Sequence, residues 1–304
     1  MLILGVLGTA KNTGKTTTTN ALLKCLSDKP LAITSIGFDG EDLDHITGLP
    51  KPKVFVEEST VVATSEMAAK HSTAKLQLLK KLEITTALGP VGIYRVKQPG
   101  TVVLVGPHSS NGLLTLAETL KSENIEIFLV DGAINRIVPF QHANFVILAV
   151  GASRSTNIDF LFLETKVIIR TFELPLGRGT RKVLKGLIST EKLSMFRGES
   201  ILVESPMHLL LTEDFAKLEK LLQEIDIAVM RKPKLLCVTI NPCYAEKRAE
   251  GFTLAQIDLS ELSKMIEHEL NIPCLNVVKE EERLCRIVEE EIGTIGTLEG
   301  GISP

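Results

Sequence analysis

The sequence predicts an α/β fold: a doubly wound, mostly parallel sheet that carries a P-loop, with a hairpin and a helical insertion added to it. Three observations predict it. Short runs rich in Ile, Val and Leu recur along the chain and are nearly continuous in hydrophobicity, as strands buried on both faces require. Segments with helical periodicity alternate with many of them, the pattern of a sheet wound with helices. The first apolar run leads straight into Gly8-Thr9-Ala10-Lys11-Asn12-Thr13-Gly14-Lys15-Thr16 and then into a helical segment. Strand, glycine-containing loop and helix in that order are the layout of a phosphate cradle.

Strands are expected at 2–7, 31–36, 53–56, 102–106, 126–130, 145–150, 201–204, 235–240 and 274–278. Helices are expected at 15–27, 65–82, 112–122, 212–224 and 260–270. Two stretches depart from the alternation. Val91 to Val105 reads as strand, turn at Lys97-Gln98-Pro99-Gly100, and strand, an antiparallel hairpin set on the sheet. Residues 154–199 read as a helical excursion: an apolar helix, then Gly177-Arg178-Gly179, then a basic helix around Lys182–Lys185. That excursion is either a surface for a partner or substrate, or more of the same domain. The charged tail from Lys279 to Glu291 keeps one apolar edge, Leu284, Ile287 and Val288, and reads as a surface helix. Residues 1–304 are expected to form a single P-loop domain with a helical insertion at 154–199.

Composition narrows the classes of function. The 304 residues are 44% hydrophobic with a mean hydropathy of +0.20, enough to bury a sizeable core. A net charge of −3 supplies no global field to draw the chain to nucleic acid or to an anionic membrane. Trp is absent and aromatics are 4%, little material for base-stacking platforms. No apolar run approaches the roughly 20 residues of a membrane span. The run 2–7 is too short for a signal peptide and enters the loop directly. The five cysteines are odd in number and show no C-x-x-C spacing, so reduced thiols and a cytoplasmic location are expected. Cys237 and Cys243 bracket a strand end, but no nearby His completes a zinc pattern.

The loop chemistry assigns roles. Gly14 lets the backbone approach phosphate, and the amides of Gly8, Thr9, Asn12, Thr13, Gly14, Lys15, Thr16 and Thr17 form the expected cradle at a helix N-terminus. Lys15 can reach the β- and γ-phosphates, and the Thr16 hydroxyl can ligate Mg²⁺. The usual Walker A pattern would place its first glycine at position 9, whereas this chain has Gly8 and Thr9. Ile127-Phe128-Leu129-Val130-Asp131-Gly132 has the layout of a Walker B strand, its carboxylate emerging at the strand end toward Mg²⁺; as a bare Asp-Gly it also suits a turn. Arg136, five residues on, is either a cis arginine for phosphate or a surface ion-pair partner. Val150-Gly151-Ala152-Ser153 supplies small residues at another strand end. The loop around His108 is small and polar and precedes a helix, but the six His are scattered and define no catalytic arrangement. No N-K-x-D motif occurs, which favours ATP, with GTP as the alternative.

Gly8-Thr9 opening a loop that closes on Gly14-Lys15-Thr16 resembles dethiobiotin synthetase and the cobyrinic acid diamide synthases. The resemblance covers about the first 20 residues and implies the SIMIBI class of P-loop NTPases, with a nucleotide, Mg²⁺ and a homodimer. Lys11 stands one residue too close to Gly14 for the signature lysine of MinD and ParA relatives; Ala10 occupies that place. In this class an acidic residue after the second strand holds Mg²⁺ or positions the attacking group. Asp39-Gly40-Glu41 stands there, and the resemblance gives Asp39 a catalytic and metal role and Glu41 a metal role. The alternative is an acidic solvated loop, as Asp42 and Asp44 suggest, with Pro50-Lys51-Pro52-Lys53 as a basic segment beside it. Asn241 in Ile240-Asn241-Pro242 matches the Asn that reads the purine base in dethiobiotin synthetase, although Asn-Pro also starts turns. The loop and Gly37-Phe38-Asp39-Gly40-Glu41 are also similar to the small reactivase that accompanies the cobalamin- and PLP-dependent lysine aminomutase. That similarity implies an accessory ATPase acting on a protein partner. The alternative is a carboxylate-activating ligase of the dethiobiotin synthetase type.

Overall fold

A computed structural model of the chain describes residues 1–39, 53–133, 138–177, 181–212, 214–249 and 251–299. Its centre is a nine-stranded sheet. In chain order the strands are β1 (Leu2–Gly8), β2 (Leu31–Ser35), β3 (Val61–Ser65), β4 (Lys75–Thr86), β5 (Gly89–Gln98), β6 (Ile127–Ala133), β7 (Phe145–Gly151), β8 (Lys234–Asn241) and β9 (Cys274–Leu275). Their spatial order is β9-β8-β7-β1-β6-β2-β3-β5-β4. From β9 through β3 every neighbouring pair is parallel; β5 runs antiparallel to β3, and β4 to β5.

Alternation along these strands sends side chains to two cores. Leu4, Val6, Ile33, Ile127, Leu129 and Ile147 face one layer, which α1 (Lys15–Cys25) supplies with Leu22 and Leu23. Leu7, Phe128, Val130, Val146 and Leu148 face the other. There α3 (Ser110–Ser122) contributes Leu113, Leu116 and Leu120, while α2 (Glu66–Lys70) packs beside β3 and β5. Helix α4 (Ile158–Glu173) adds Leu161, Val167 and Ile168. The short α5 (Thr190–Ser194) and α6 (Phe215–Glu224) follow, and α7 (Ser260–Leu270) packs Leu262 and Ile266 on α4's layer. Helix α8 (Glu281–Glu299) returns to the α1 side and buries Leu284 and Val288. Each such side chain contributes about 1.5–3 kcal/mol on burial. Side-chain caps set several helix starts: Ser109, Asn157 and Asp214 accept the backbone N–H of Gly112, Phe160 and Lys217.

Smaller sheets flank this body. Lys182–Leu184, Ser200–Val203 and Asp226–Val229 form a three-stranded parallel sheet in that order. Cys243–Arg248 and Gly251–Gln256 form an antiparallel hairpin. Phe38–Asp39 pairs with Leu104–Val105, and Val54–Val56 with Gly100–Val102.

The structure corrects several expectations. Residues 65–82 are not one helix: α2 ends at Lys70 and the chain enters β4. The Leu and Lys residues there favour a helix intrinsically, but pairing with β5 along the sheet edge overrides that preference. The hairpin is therefore β4–β5, turning at 87–88, and the turn expected at 97–100 is instead the passage from β5 into a short strand. The basic helix expected around Lys182–Lys185 is a strand of the satellite sheet. Arg178 and Gly179 lie outside the described residues. The five thiols are not all reduced: Cys25 of α1 and Cys285 of α8 form a disulfide with their Cα atoms 5.4 Å apart. Cys237 and Cys274 are buried free thiols, and burial pushes Cys274 up to about 12 and Cys237 higher still. Cys243 is free and half-buried. Among the described residues no helix is long and apolar enough to cross a membrane.

Candidate functional site

Strand β1 ends at Gly8 where the strand order changes direction. The chain goes from β1 to β2 past the position later filled by β6, and β7 closes the other side. Crevices beyond the carboxyl ends of strands at such points are the usual ligand sites of open α/β sheets. A side chain at Gly8 would have to push Lys15 aside: an added Cβ would stand 2.6 Å from Lys15 Cγ and Cδ. The lysine stem lies directly over it.

The loop between Gly8 and α1 turns its carbonyls to neighbouring side chains. Thr13 Oγ1 and Lys15 Nζ donate to the Ala10 carbonyl at 3.1 and 3.3 Å. Ser153 Oγ donates to Lys11 O at 2.9 Å, and Asn241 Nδ2 to Asn12 O at 2.9 Å. Asn12 (φ 62°) and Gly14 (φ 97°) hold left-handed backbone, and Gly14 forms the N-cap of α1. No side chain caps α1 and no acid stands in its first turn. The first-turn N–H groups and the positive end of the helix dipole are thus left for an anion.

The register places the other candidates on the same face. Asp131 lies opposite Val6 of β1 and Ser35 of β2. Its side chain shares the parity of Ile127 and Leu129, which face the α1 core, and it is 1% exposed. Thr16 is half-buried in the first turn of α1. A hydroxyl and a carboxylate are hard oxygen donors of the kind Mg²⁺ takes beside phosphate oxygens, so these residues fit that ion. Among the described residues no group of three or more His, Cys, Asp and Glu side chains gathers as a metal cage. The backbone of Asp39 pairs with Leu104. Gly40, Glu41, Asp42, Asp44, Pro50, Lys51, Pro52 and Arg136 lie outside the described residues. His108 is exposed and Lys53 is an exposed residue whose carbonyl accepts from Asn20 Nδ2.

Beside the loop a small cleft of about 30 Å³ opens between the start of α1, the end of β8 and residues 276–278. Thr17, Thr18, Thr239, Asn241, Asn276 and Val277 are among its walls, and none of its lining residues is charged. Thr18 and Thr239 hydroxyls bond at 3.0 Å, tying α1 to β8. Asn241 spends both ends of its amide here: Nδ2 on Asn12 O, and Oδ1 accepting from Cys243 N at 3.1 Å. In this geometry it holds the loop.

Sequence reading missed two features. The segment 276–278 as a cleft wall carries no signal beyond its position after the last strand. Arg154 paired with Glu164 carries one: a carboxylate on the buried stripe of α4, where Leu161, Thr165 and Ile168 surround it.

No family model matches the chain, and no curated protein matches it. A solved structure of a nucleotide-binding protein in complex with ADP, from Archaeoglobus fulgidus, is similar over 93% of this chain and 85% of its own, at 11% identity and a TM-score of 0.30. At that TM-score the likeness carries no argument.

Proposed function

We propose that the chain is a Mg²⁺-dependent P-loop nucleotide-binding protein that hydrolyses the β–γ bond of ATP as an accessory to a protein partner. The observation that carries the reading is the loop itself. Its carbonyls are taken up by Thr13, Lys15, Ser153 and Asn241, its helix is uncapped, and Lys15 is folded over Gly8 at its mouth. The first-turn N–H groups of α1, its dipole and Lys15 would then meet the phosphates, whereas the Thr9 N–H is spent on Ala149 O at 3.1 Å and stays outside the cradle.

Lys15 would exchange the Ala10 carbonyl for phosphate oxygens and neutralise charge developing on the bridging oxygen. Thr16 and Asp131 would hold Mg²⁺, which neutralises phosphate charge when bound. Catalysis would rest on positioning and electrostatics. The nucleoside, whose base and ribose carry no charge, would lie along the uncharged cleft beside the loop, with Val277 as an apolar wall, and the cleft would widen to admit it. Base reading by Asn241 would require its amide to turn from Asn12 or Cys243. Asp39 and Glu41 keep their assigned roles as proposals, as do the cytoplasmic location and a homodimer. The cytoplasmic assignment has to accommodate the Cys25–Cys285 disulfide.

The test is Lys15→Ala. Equilibrium titration with Mg²⁺-ATP should show binding weakened by about a hundredfold or more, because the charge-assisted contact of Lys15 to phosphate is lost. The far-UV spectrum and the unfolding midpoint should stay those of the parent. Unchanged affinity in a folded variant would remove the nucleotide reading.

A further inference from the structure

The segment after β7 is built against the loop. A Cβ on Gly151 would come within 3.0 Å of Thr13 Cα. The Ala152 N–H donates to Asn241 O at 2.9 Å, and Ser153 Oγ donates to Lys11 O at 2.9 Å. The next residue is Arg154, whose N–H closes a turn on Gly151 O at 2.9 Å. An arginine therefore starts from backbone fixed to the rim of the phosphate loop.

Its side chain is held. Nε donates to Glu164 Oε1 at 2.9 Å, and the guanidinium carbon stands 5.3 Å from the centre of the Phe160 ring. The arginine side chain is 28% exposed, while that of Glu164 is 2% exposed. The contact uses one nitrogen and one oxygen. Glu164 Oε2 has no hydrogen-bond partner, and the terminal nitrogens of Arg154 make no hydrogen bond among the described residues. A half-satisfied carboxylate in the apolar stripe of α4 is costly. Burial raises its pKa while Arg154 works against that shift. A surface arginine needs no such anchor. An arginine that must present its two free terminal nitrogens in one direction does.

We propose that Arg154 binds the terminal phosphate of the nucleotide from the β7 side of the loop, opposite the face that Asp131 serves, with Glu164 as its positioning residue. The planar guanidinium offers two parallel N–H donors to a phosphate oxyanion while Nε stays on Glu164. The inference rests on the loop being a nucleotide site. It adds a residue that distinguishes a triphosphate from a diphosphate. Arg136, the arginine suggested by sequence, lies outside the described residues.

The experiment is calorimetric titration of the full chain with Mg²⁺-ADP and with the Mg²⁺ complex of a non-hydrolysable ATP analogue. Variants are Arg154→Gln, Arg154→Lys and the double variant Arg154→Gln/Glu164→Gln, which leaves no unpaired buried charge. Arg154→Gln and the double variant should bind the analogue at least about tenfold more weakly, with ADP affinity held within about twofold. Arg154→Lys should recover only part of the loss, because lysine lacks both the fork and the Nε anchor. Glu164→Leu should lower analogue affinity in the same selective way, which a purely structural carboxylate would not do. Equal losses for analogue and ADP would overturn the proposal, since Arg154 would then be shaping the loop. Unchanged affinities for both would overturn it as well. A parent protein that binds neither ligand would instead overturn the nucleotide reading beneath it.

Discussion

Gly8 and Lys15 act as one unit. The lysine stem occupies the volume where a side chain at position 8 would stand, and Thr13 Oγ1 lies 2.7 Å from the same point. Gly8→Ala should therefore displace Lys15 and Thr13 together. The expected result is nucleotide affinity lowered by about tenfold or more, with the unfolding midpoint shifted little, measured by titration and by urea melts on the same sample. Equal affinity would mean that the lysine leaves Gly8 on binding. Asp131 offers a separate test. Asp131→Asn keeps the shape and removes the charge asked to hold Mg²⁺, so turnover and its metal dependence should fall more than nucleotide binding does. Matching Mg²⁺ titrations of turnover in parent and variant would leave Asp131 a buried strand residue with no part in holding the metal. At this scale the loop was legible because its chemistry is local: Gly14, Lys15 and Thr16 are adjacent in the chain. Arg154 and Glu164 were not, since nothing in residues 154–164 says that the arginine starts from backbone fastened to residues 11–13.

Elements show the same division. Strands β1, β2, β6, β7 and β8 were legible as continuous apolar runs because both their faces are buried. Strand β4 was not. Its Leu and Lys residues read as helix, and only pairing with β5 makes them a strand, with Lys75, Lys80 and Lys81 along an outer edge where charge discourages further pairing. The satellite strand Lys182–Leu184 was hidden in the same way, since its partners at 200–203 and 226–229 are distant in the chain. The join between α1 and α8 is the longest-range case, with 260 residues separating its two cysteines. Closing so long a loop constrains the unfolded chain strongly. Cys285→Ser should lower stability by about 2–4 kcal/mol under non-reducing conditions. Reductant should lower the parent to the same value and leave the variant unmoved. Urea melts with and without reductant decide it, and coincidence of parent and variant in the absence of reductant would mean the bond does not form in solution.

The parallel strands gather the candidate residues at their carboxyl ends on one face of the sheet. Gly8, Ser35, Asp131, Gly151, Thr239 and Asn241 all fall on the strand parity that faces α1. On the proposed reading that face would hold the nucleotide, but hydrolysis also needs a group that orients the attacking water. The carboxylates proposed for such work are Asp39 and Glu41, in a stretch that holds four acids within six residues. Four carboxylates so close in sequence oppose one another's ionisation unless positive charge offsets them. Hydrolysis by the isolated protein should therefore be slow, and a macromolecular partner that offsets those charges should accelerate it. The deciding measurement is phosphate release by the protein alone, with a panel of small carboxylates and amines, and with fractions of cell extract. Stimulation that survives dialysis of the fraction and is lost on protease treatment supports the accessory role. Stimulation by a small carboxylate, with phosphate release matched by incorporation of the carboxylate into product, would replace it with a ligase in which the loop activates an acyl group.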